Sequence, residues 1–415
     1  MLSLTMIVKN GEEHIAQTLV CAKEICDEMI VVDTGSTDKT VEIAKSYGAK
    51  VFHFDWIDDF SAARNEAIRH ATGDWLIWLD CGDVIPPQAI EGFKNLKMQL
   101  KTNKEVDFVW CNINRGITDE GVVVFKFNTP RVWRASVKTQ WIGAVHEYLD
   151  RSNENALIWA DAWVDDPLAM NNTPTERNIK ILRGLLDKGD DSPRTAYYYA
   201  NELRDHKRWD EAIEAYDHFL SLNHFTWEYY DALVSQANCY RQGDPERTKG
   251  GLEKAVDCYF KAMQFAPIRA EAYVALGDIS YEAQRWDGAV PFYRAVIGMK
   301  RPMEGFVIET AYTWLPWDRL SICYGNMGLL EEAVEATERC LREAPPSEWM
   351  RLCKNLTMYH QAIQQNRQNF EIWKTQQQQL LQQQQDAQNA AKQQKALPPA
   401  AKQVSNGRVT PKKVR

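Results

Sequence analysis

Short apolar runs alternate with amphipathic stretches over the first 80 residues. The apolar runs predict four strands, at residues 2–8, 29–32, 50–54 and 74–79. Between them, residues 12–24, 39–47 and 60–71 have apolar side chains at helical spacing. Strands that alternate with helices are typical of βα units in a mostly parallel sheet. We therefore expect an α/β domain over residues 1–170.

A second pattern begins near Thr175, where strand-like runs give way to pairs of amphipathic helices. Two polar or small residues followed by alanine and a β-branched residue recur at 210–213, 253–256, 287–290 and 331–334. The alanines of these four segments are 43, 34 and 44 residues apart. A period of about 34 residues is typical of tetratricopeptide hairpins, and the longer intervals would carry insertions at 241–251 and 299–314. We expect an all-α tetratricopeptide-like solenoid over residues 175–360; the alternative is an irregular helical bundle.

The C-terminal residues 361–415 are rich in glutamine and then in alanine, lysine and proline. Such a composition buries too little apolar surface to offset its ordering entropy, so a frayed helix followed by a disordered tail is expected. From Asp386 onward the chain carries a net charge of +6, whereas the remainder carries −14. An acidic body argues against a folded surface built to wrap nucleic acid. The basic tail could touch an anionic partner, or simply keep the protein soluble.

Charged residues make up 26% of the chain, and no apolar run approaches the roughly 20 residues of a membrane-spanning helix. The first ten residues lack the features of a secretory signal. The nine cysteines are scattered and never spaced C-x-x-C, which indicates reduced thiols rather than a zinc or disulfide framework. A cytoplasmic protein without membrane insertion is the expectation.

Polar clusters follow three of the predicted strands, at Lys9-Asn10, at residues 33–38 and at residues 80–83. Ligands of open α/β sheets bind at the carboxyl ends of the strands, where such loops converge. Ser36 to Asp38 are explained more simply as a helix cap. Asp33 and Asp80 directly end apolar strands, so their carboxylates could accept hydrogen bonds from a nucleotide or hold a divalent cation against a diphosphate.

Three segments, LTMIVKN, DEMIVVDTGSTDKTVEIAKSYGAKVFHF and DDFSAARNEAIRHATGDWLIWLDCGD, resemble the family 2 glycosyltransferases. The resemblance is greatest to the subgroup in which a GT-A domain precedes tetratricopeptide repeats, which includes the peptide S-glycosyltransferases of glycocin biosynthesis. It covers Leu2 to Val84 and continues more weakly through residues 131–134 and 143–147. It implies a Rossmann-like GT-A fold for the first domain.

The resemblance also implies a set of nucleotide-sugar contacts. Val8 would line the uridine pocket, and Asp33 would bind the base or ribose. Arg64 would approach the nucleotide or its diphosphate, although a surface ion pair is the alternative. Asp80 would open the segment that contacts the metal and the nucleotide sugar. Arg131 and Arg134 are, with Arg64, the candidates to hold the diphosphate, since guanidinium groups match phosphate oxygens.

The metal motif departs from that of the subgroup, which usually reads Asp-Ala-Asp-Glu. Here the segment is Asp80-Cys81-Gly82-Asp83, so glycine stands at the second aspartate position. A bound Mg²⁺ or Mn²⁺ would then need Asp80, Asp83 or His146 as ligands. Otherwise cationic side chains alone would hold the diphosphate.

The His146-Glu147 pair lies where the resemblance places residues that face the acceptor. We expect Glu147 to act as the general base and His146 to contact the metal or the diphosphate. The alternative is an ordinary loop pair. Trp141 would wall the sugar pocket or belong to the core.

The resemblance implies an inverting transfer from a UDP-sugar. The acceptor would be a peptide, a protein, a glycan or a modified nucleobase recruited by the repeats, which could also support a homodimer. The rival hypothesis is a non-catalytic scaffold, with a degenerate transferase domain attached to a protein-binding solenoid.

Overall fold

The computed structural model describes residues 1–117, 123–151, 155–170, 175–245, 250–302 and 305–396. Within these ranges, no helix combines the length and the hydropathy needed to cross a bilayer. All nine cysteines are free thiols.

A seven-stranded sheet forms the first part of the chain, with strand order β3-β2-β1-β4-β6-β5-β9. Its strands are β1 (Leu2–Val8), β2 (Glu28–Asp33), β3 (Lys50–His53), β4 (Trp75–Trp78), β5 (Phe108–Ile117), β6 (Val123–Arg134) and β9 (Ala156–Asp166). Strand β6 runs opposite to the others, which are mutually parallel. The predicted mostly parallel α/β sheet is confirmed, and the first four strands lie at the predicted positions.

Four helices connect and cover the sheet: α1 (Ile15–Lys23), α2 (Thr40–Ser46), α3 (Phe60–His70) and α4 (Pro87–Leu100). Strands β1 and β2 are buried along nearly their whole length, which explains their continuous apolar sequence. Apolar side chains of β1, α1, β4 and α4 form the largest cluster of the core. Helix α3 begins at the N-cap Asp59, whose carboxylate accepts a hydrogen bond from the Ala62 N–H at 3.0 Å.

A short hairpin of β7 (Trp141–Ile142) and β8 (Tyr148–Leu149) lies beside α3. Its connecting residues, 143–147, contain the predicted catalytic pair. The Phe60 N–H donates to the carbonyl of Ala144 at 2.9 Å, so the start of α3 holds this connection.

Ten α-helices follow the sheet within the described residues. They are α5 (Glu176–Leu186), α6 (Pro193–Asp205), α7 (Trp209–Ser221), α8 (Trp227–Gly243), α9 (Gly251–Phe265), α10 (Glu271–Glu282), α11 (Trp286–Val296), α12 (Trp314–Asn326), α13 (Leu330–Leu341) and α14 (Pro346–Ala396). The four repeat signatures lie on α7, α9, α11 and α13, as the second helices of successive hairpins. The predicted solenoid of helix pairs is confirmed.

Small residues let the helices of a hairpin approach closely. The alanines of the four signatures, Ala212, Ala255, Ala289 and Ala333, are fully buried. Gly277 on α10 packs directly against the ring of Tyr293 on α11. The aromatic residues Tyr197, Trp209, Tyr240 and Trp286 pack in or against the helical cores, as helical spacing indicated.

The chain divides into two compact units, Met1–Leu356 and Thr357–Arg415. The sheet and the helical hairpins belong to the first unit. The domain bounds at residues 170 and 175 stay a prediction. In the second unit, α14 continues to Ala396. The predicted disordered tail beyond that residue lies outside the described residues.

Candidate functional site

The first two predicted polar clusters, Lys9-Asn10 and residues 33–38, are joined by hydrogen bonds at the carboxyl edge of the sheet. Asp33 ends β2 opposite Val8 of β1. Its buried carboxylate accepts hydrogen bonds from the backbone N–H groups of Gly35 and Ser36 at 3.1 Å. Asn10 Oδ1 accepts from the Thr37 N–H at 2.8 Å, so the two loops hold each other. The residues of 36–38 thus join loops as well as precede a helix.

The third cluster follows β4, two strands away from β2 in the sheet. At ordinary strand spacing the backbones of β2 and β4 lie roughly 10 Å apart, with β1 between them. About half of the Asp80 side chain is exposed. Partial burial raises the pKa of its carboxyl, but the charges of Arg64 and Arg131 outweigh burial, and the pKa lies below its ordinary value. Asp80 is therefore ionised at neutral pH.

Asp83 and Arg131 form a buried ion pair beneath this loop, with side chains 4% and 2% exposed. Arg131 Nη1 donates to Asp83 Oδ2 at 3.0 Å and to the Trp78 carbonyl at 3.1 Å. The Asp80 N–H donates to the same carboxylate oxygen of Asp83 at 3.0 Å. Burial raises the pKa of Asp83 to about 6, although Arg131 opposes it. The pair supports the Asp80 loop from below.

Gly82 has a structural reason to differ from the aspartate of the subgroup. Its φ is +110°, a conformation that residues with a side chain rarely adopt. A Cβ atom there would also overlap the side chain of Leu168. The loop conformation seen here therefore requires glycine.

Arg64 on α3 joins the two candidate carboxylates. Its Nη2 donates to Asp80 Oδ1 at 2.7 Å, and its Nε donates to Glu147 Oε1. Its guanidinium lies 5.0 Å from the centroid of Trp78 and 4.8 Å from that of Trp141. Burial lowers the pKa of Arg64, but Asp80 and Glu147 raise it above its ordinary value. One buried cation thus holds carboxylates from two distant segments.

Asn65 anchors the hairpin that carries Glu147. Asn65 Nδ2 donates to the backbone carbonyl of Trp141 at 3.0 Å, and Asn65 Oδ1 accepts from the Trp141 backbone N–H at 2.8 Å. The Trp141 ring is buried and meets Trp78 edge to face at 5.4 Å. Trp141 is thus both a core residue and a wall beside Arg64. Sequence reasoning did not assign a role to Asn65, although it directly follows Arg64.

Arg134 lies away from this cluster. It pairs with Trp75, at the amino end of β4, and its guanidinium stacks on that ring at 4.4 Å. Its nitrogens donate to the carbonyls of Asn103 and Val106. Arg134 is therefore not placed to contact a diphosphate beside Asp80, contrary to expectation. The reason is that antiparallel β6 ends at the opposite edge of the sheet.

The three expected metal ligands do not converge. Asp83 is paired with Arg131, and His146 turns toward the helical region, where Nε2 lies 2.9 Å from Glu202 Oε1. Among the described residues, no group of three or more His, Cys, Asp or Glu side chains is arranged to hold a metal ion. Of the three, Asp80 alone combines ionisation with an exposed carboxylate at this edge.

A family model described as "Glycosyl transferase family 2" matches residues 3–123. This range contains β1 to β5 and α1 to α4, and hence Asp33, Arg64 and Asp80. The hairpin with Glu147 follows it.

Three curated proteins are similar to parts of the chain. A TPR repeat-containing protein of Synechococcus elongatus is 39% identical over 36% of this chain and 36% of its own length. The SPbeta prophage-derived glycosyltransferase SunS of Bacillus subtilis is 26% identical over 55% of this chain and 56% of its own. An uncharacterised glycosyltransferase of Escherichia coli, YibD, is 26% identical over 52% and 56%. The chain spans between about a third and a half of the length of these relatives.

The matched residues contain β1 to β5, and Asp33 and Asp80 follow or end two of these strands at the same edge of the sheet. The helices beyond the sheet form repeated hairpins. Residues 3–123 therefore match glycosyl transferase family 2, and a region of repeated helical hairpins follows the sheet in the chain.

Proposed function

We propose that the protein transfers a sugar from a nucleotide-sugar donor, a UDP-sugar, to an acceptor recruited by the helical repeats. The observation that carries this proposal is the double ion pair of Arg64 with Asp80 and Glu147. It joins the end of β4 to the β7–β8 hairpin, at the sheet edge where α/β proteins bind ligands.

The donor would lie along this edge. Val8 and Asp33 end adjacent strands, and the backbone N–H groups of Gly35 and Ser36 fix the Asp33 carboxylate. A fixed carboxylate suits a hydrogen bond from a base or ribose donor group. Arg64 would supply positive charge to the diphosphate, where a guanidinium can make two parallel hydrogen bonds. Arg131 would act indirectly, by supporting the Asp80 loop through Asp83.

Asp80 fits a divalent cation that takes most of its ligands from elsewhere. Its carboxylate is ionised and half-exposed, and Mg²⁺ is commonly bound through one or two carboxylates together with substrate phosphates and water. Mn²⁺ also suits oxygen ligands. Such an ion, when bound, would neutralise charge on the departing diphosphate. Gly82, Asp83 and His146 are not placed to add ligands.

Glu147 would serve as the general base of an inverting displacement. Its carboxylate would accept the proton of the acceptor nucleophile as that nucleophile bonds to the anomeric carbon. The bond from the anomeric carbon to the diphosphate oxygen would break, and its electron pair would leave with the nucleoside diphosphate.

The proposed acceptor classes are a peptide, a protein, a glycan and a modified nucleobase. The cytoplasmic location and the homodimer stay predictions.

Replacement of Glu147 by glutamine tests this assignment. The glutamine carbonyl can still accept from Arg64 Nε, so folding and UDP binding should persist, whereas proton transfer should be lost. We expect transfer to fall about 100-fold or more, measured by mass spectrometry with a panel of UDP-sugars, while the UDP-induced thermal shift stays within error. Loss of UDP binding in Glu147→Gln would contradict the role.

Glu28→Gln is the matched control. Glu28 is another buried carboxylate with basic and hydroxyl partners, Lys50 and Ser3, but it begins β2 at the opposite edge of the sheet. It should lose stability and keep its transfer activity per folded molecule. Equal losses of transfer in both variants would indicate a general structural effect.

The second candidate is a non-catalytic scaffold. It is favoured by one observation, that Arg64 is already paired with both carboxylates and Asp83 with Arg131, so the charges of the site can satisfy one another without a ligand. Absence of a UDP-induced thermal shift and of sugar-nucleotide hydrolysis, with and without Mn²⁺, would favour this function over transfer.

A further inference from the structure

The hairpin connection that carries Glu147 is held from the helical region as well as from the sheet. His146 Nε2 lies 2.9 Å from Glu202 Oε1 on α6. Asn178 on α5 donates its amide to the same oxygen at 2.8 Å. The Glu202 side chain is 11% exposed, so this is a largely buried polar contact between the two parts of the first unit.

The backbone at His146 is held in an uncommon conformation. Its φ is +54°, in the left-handed region that non-glycine residues seldom occupy. Its ring stacks on Tyr198 with centroids 4.1 Å apart, and Arg194 Nε donates to its carbonyl at 3.1 Å. Strained conformations of this kind persist where surrounding contacts over-determine them. Here these contacts come from α6, and α5 adds to them indirectly through the hydrogen bond of Asn178 to Glu202.

Glu147 is the next residue along the chain. Its carboxylate binds Arg64, which is fixed by α3 and by the rings of Trp78 and Trp141. The direction in which Glu147 leaves the backbone depends on the dihedral angles of His146. Loss of the Glu202 contact would free the His146 side chain and backbone, and His146 directly precedes Glu147 in the chain.

We propose that Glu202, on the helical region, is a positioning residue for Glu147, acting through the side chain of His146. The proposal rests on the proposed function, because it assigns Glu147 the role of general base. It makes the helical region a structural part of the active site in addition to a recruiter of acceptors.

The electrostatics agree with this role. Burial raises the pKa of Glu202, but the hydrogen bonds from His146 and Asn178 outweigh burial, and the pKa lies below its ordinary value. Glu202 is thus an ionised acceptor at neutral pH. It would hold the His146 ring through the hydrogen bond at Nε2.

Two substitutions at Glu202 separate positioning from general folding. Glu202→Gln keeps an acceptor oxygen for both His146 and Asn178, whereas Glu202→Ala removes it. Misplacement of a reacting group by about 1 Å can lower the rate about 100-fold. We expect kcat of Glu202→Ala to fall about 10- to 100-fold, while its KM for the UDP-sugar stays within about twofold of the wild-type value. Glu202→Gln should retain at least about a third of the wild-type kcat.

Glu282→Ala is the matched control, because Glu282 pairs with Arg241 on the surface of a later hairpin. It should leave kcat unchanged. A double-mutant cycle of His146→Ala with Glu202→Ala should show that the second substitution adds little to the first. Independent, multiplicative losses would overturn the proposal, as would a Glu202→Ala enzyme with kcat within threefold of wild type.

Hydrogen exchange of residues 143–149 tests the positioning without activity. Protection of these amides should fall in Glu202→Ala and stay unchanged in Glu282→Ala. If the wild-type protein transfers no sugar from any donor, the proposed function fails while this measurement still decides the contact. Unchanged protection in Glu202→Ala would overturn the positioning role, even in an active transferase.

Discussion

The buried ion pair of Arg131 with Asp83 offers a stability test that depends on pH. Replacing Arg131 by methionine keeps an apolar stem over the Trp78 ring, from whose centroid the guanidinium lies 3.6 Å, but removes the charge. Asp83 would then be a buried carboxylate without a counter-charge. Loss of one partner from a buried pair costs about 3–5 kcal/mol.

The sign of the pH dependence follows from the pKa of Asp83. Its ordinary value is 3.8 and burial raises it to about 6 in the folded protein. The folded state therefore binds this proton more tightly, and the stability that Asp83 contributes is lost as pH rises from 3.8 through 6. The difference corresponds to about 3 kcal/mol. Because Arg131 lowers this pKa, the Arg131→Met variant should shift it upward.

We therefore expect Arg131→Met to be destabilised by about 3–5 kcal/mol at pH 8 and by clearly less at pH 5, where Asp83 can be protonated in the folded state. Denaturant unfolding at the two pH values measures both differences. The double variant with Asp83→Asn should be more stable than the single variant at pH 8, because no buried charge remains.

The control is Arg241→Met, since Arg241 pairs with the half-exposed Glu282. It should cost less than about 1 kcal/mol at either pH. An Arg131→Met cost that is equal at pH 5 and pH 8, or below about 1 kcal/mol at pH 8, would refute this account of the pair.

Two further predictions concern the sheet and the repeats. Burial raises the pKa of Glu28, but its hydrogen bonds with Lys50, Ser3 and Thr72 outweigh burial and lower the pKa to about 2, so the stability that Glu28 contributes should be lost as pH falls from 4.5 to about 2. The acid unfolding curve of Glu28→Gln should therefore be less steep over that pH range. An unchanged curve would contradict this prediction. Gly277→Ala should destabilise the protein by about 1–3 kcal/mol, because the new Cβ would lie 2.7 Å from the Tyr293 ring. Gly184→Ala, on α5 with nothing within 4 Å, should instead be neutral or stabilising by up to about 1 kcal/mol in thermal or denaturant unfolding.

The sequence by itself predicted the first four strands, the helical hairpins and the sheet edge at which we propose the site. Apolar periodicity located β1 to β4 and the second helices of the repeats. It could do so because burial of one or both faces of a strand or helix sets the spacing of its apolar side chains along the sequence. Parallel strands end at the same edge, so the sequence predicts Asp33 and Asp80 at one edge of the sheet.

Only the tertiary structure decided which side chains meet. Glu147 lies 83 residues from Arg64, and Glu202 lies 56 residues from His146, and no local pattern encodes such contacts. Strand direction was equally hidden: antiparallel β6 brings Arg131 under the Asp80 loop and carries Arg134, three residues later, to the far edge of the sheet. Local periodicity reports burial, whereas the partners of a charged side chain are set by how distant segments pack.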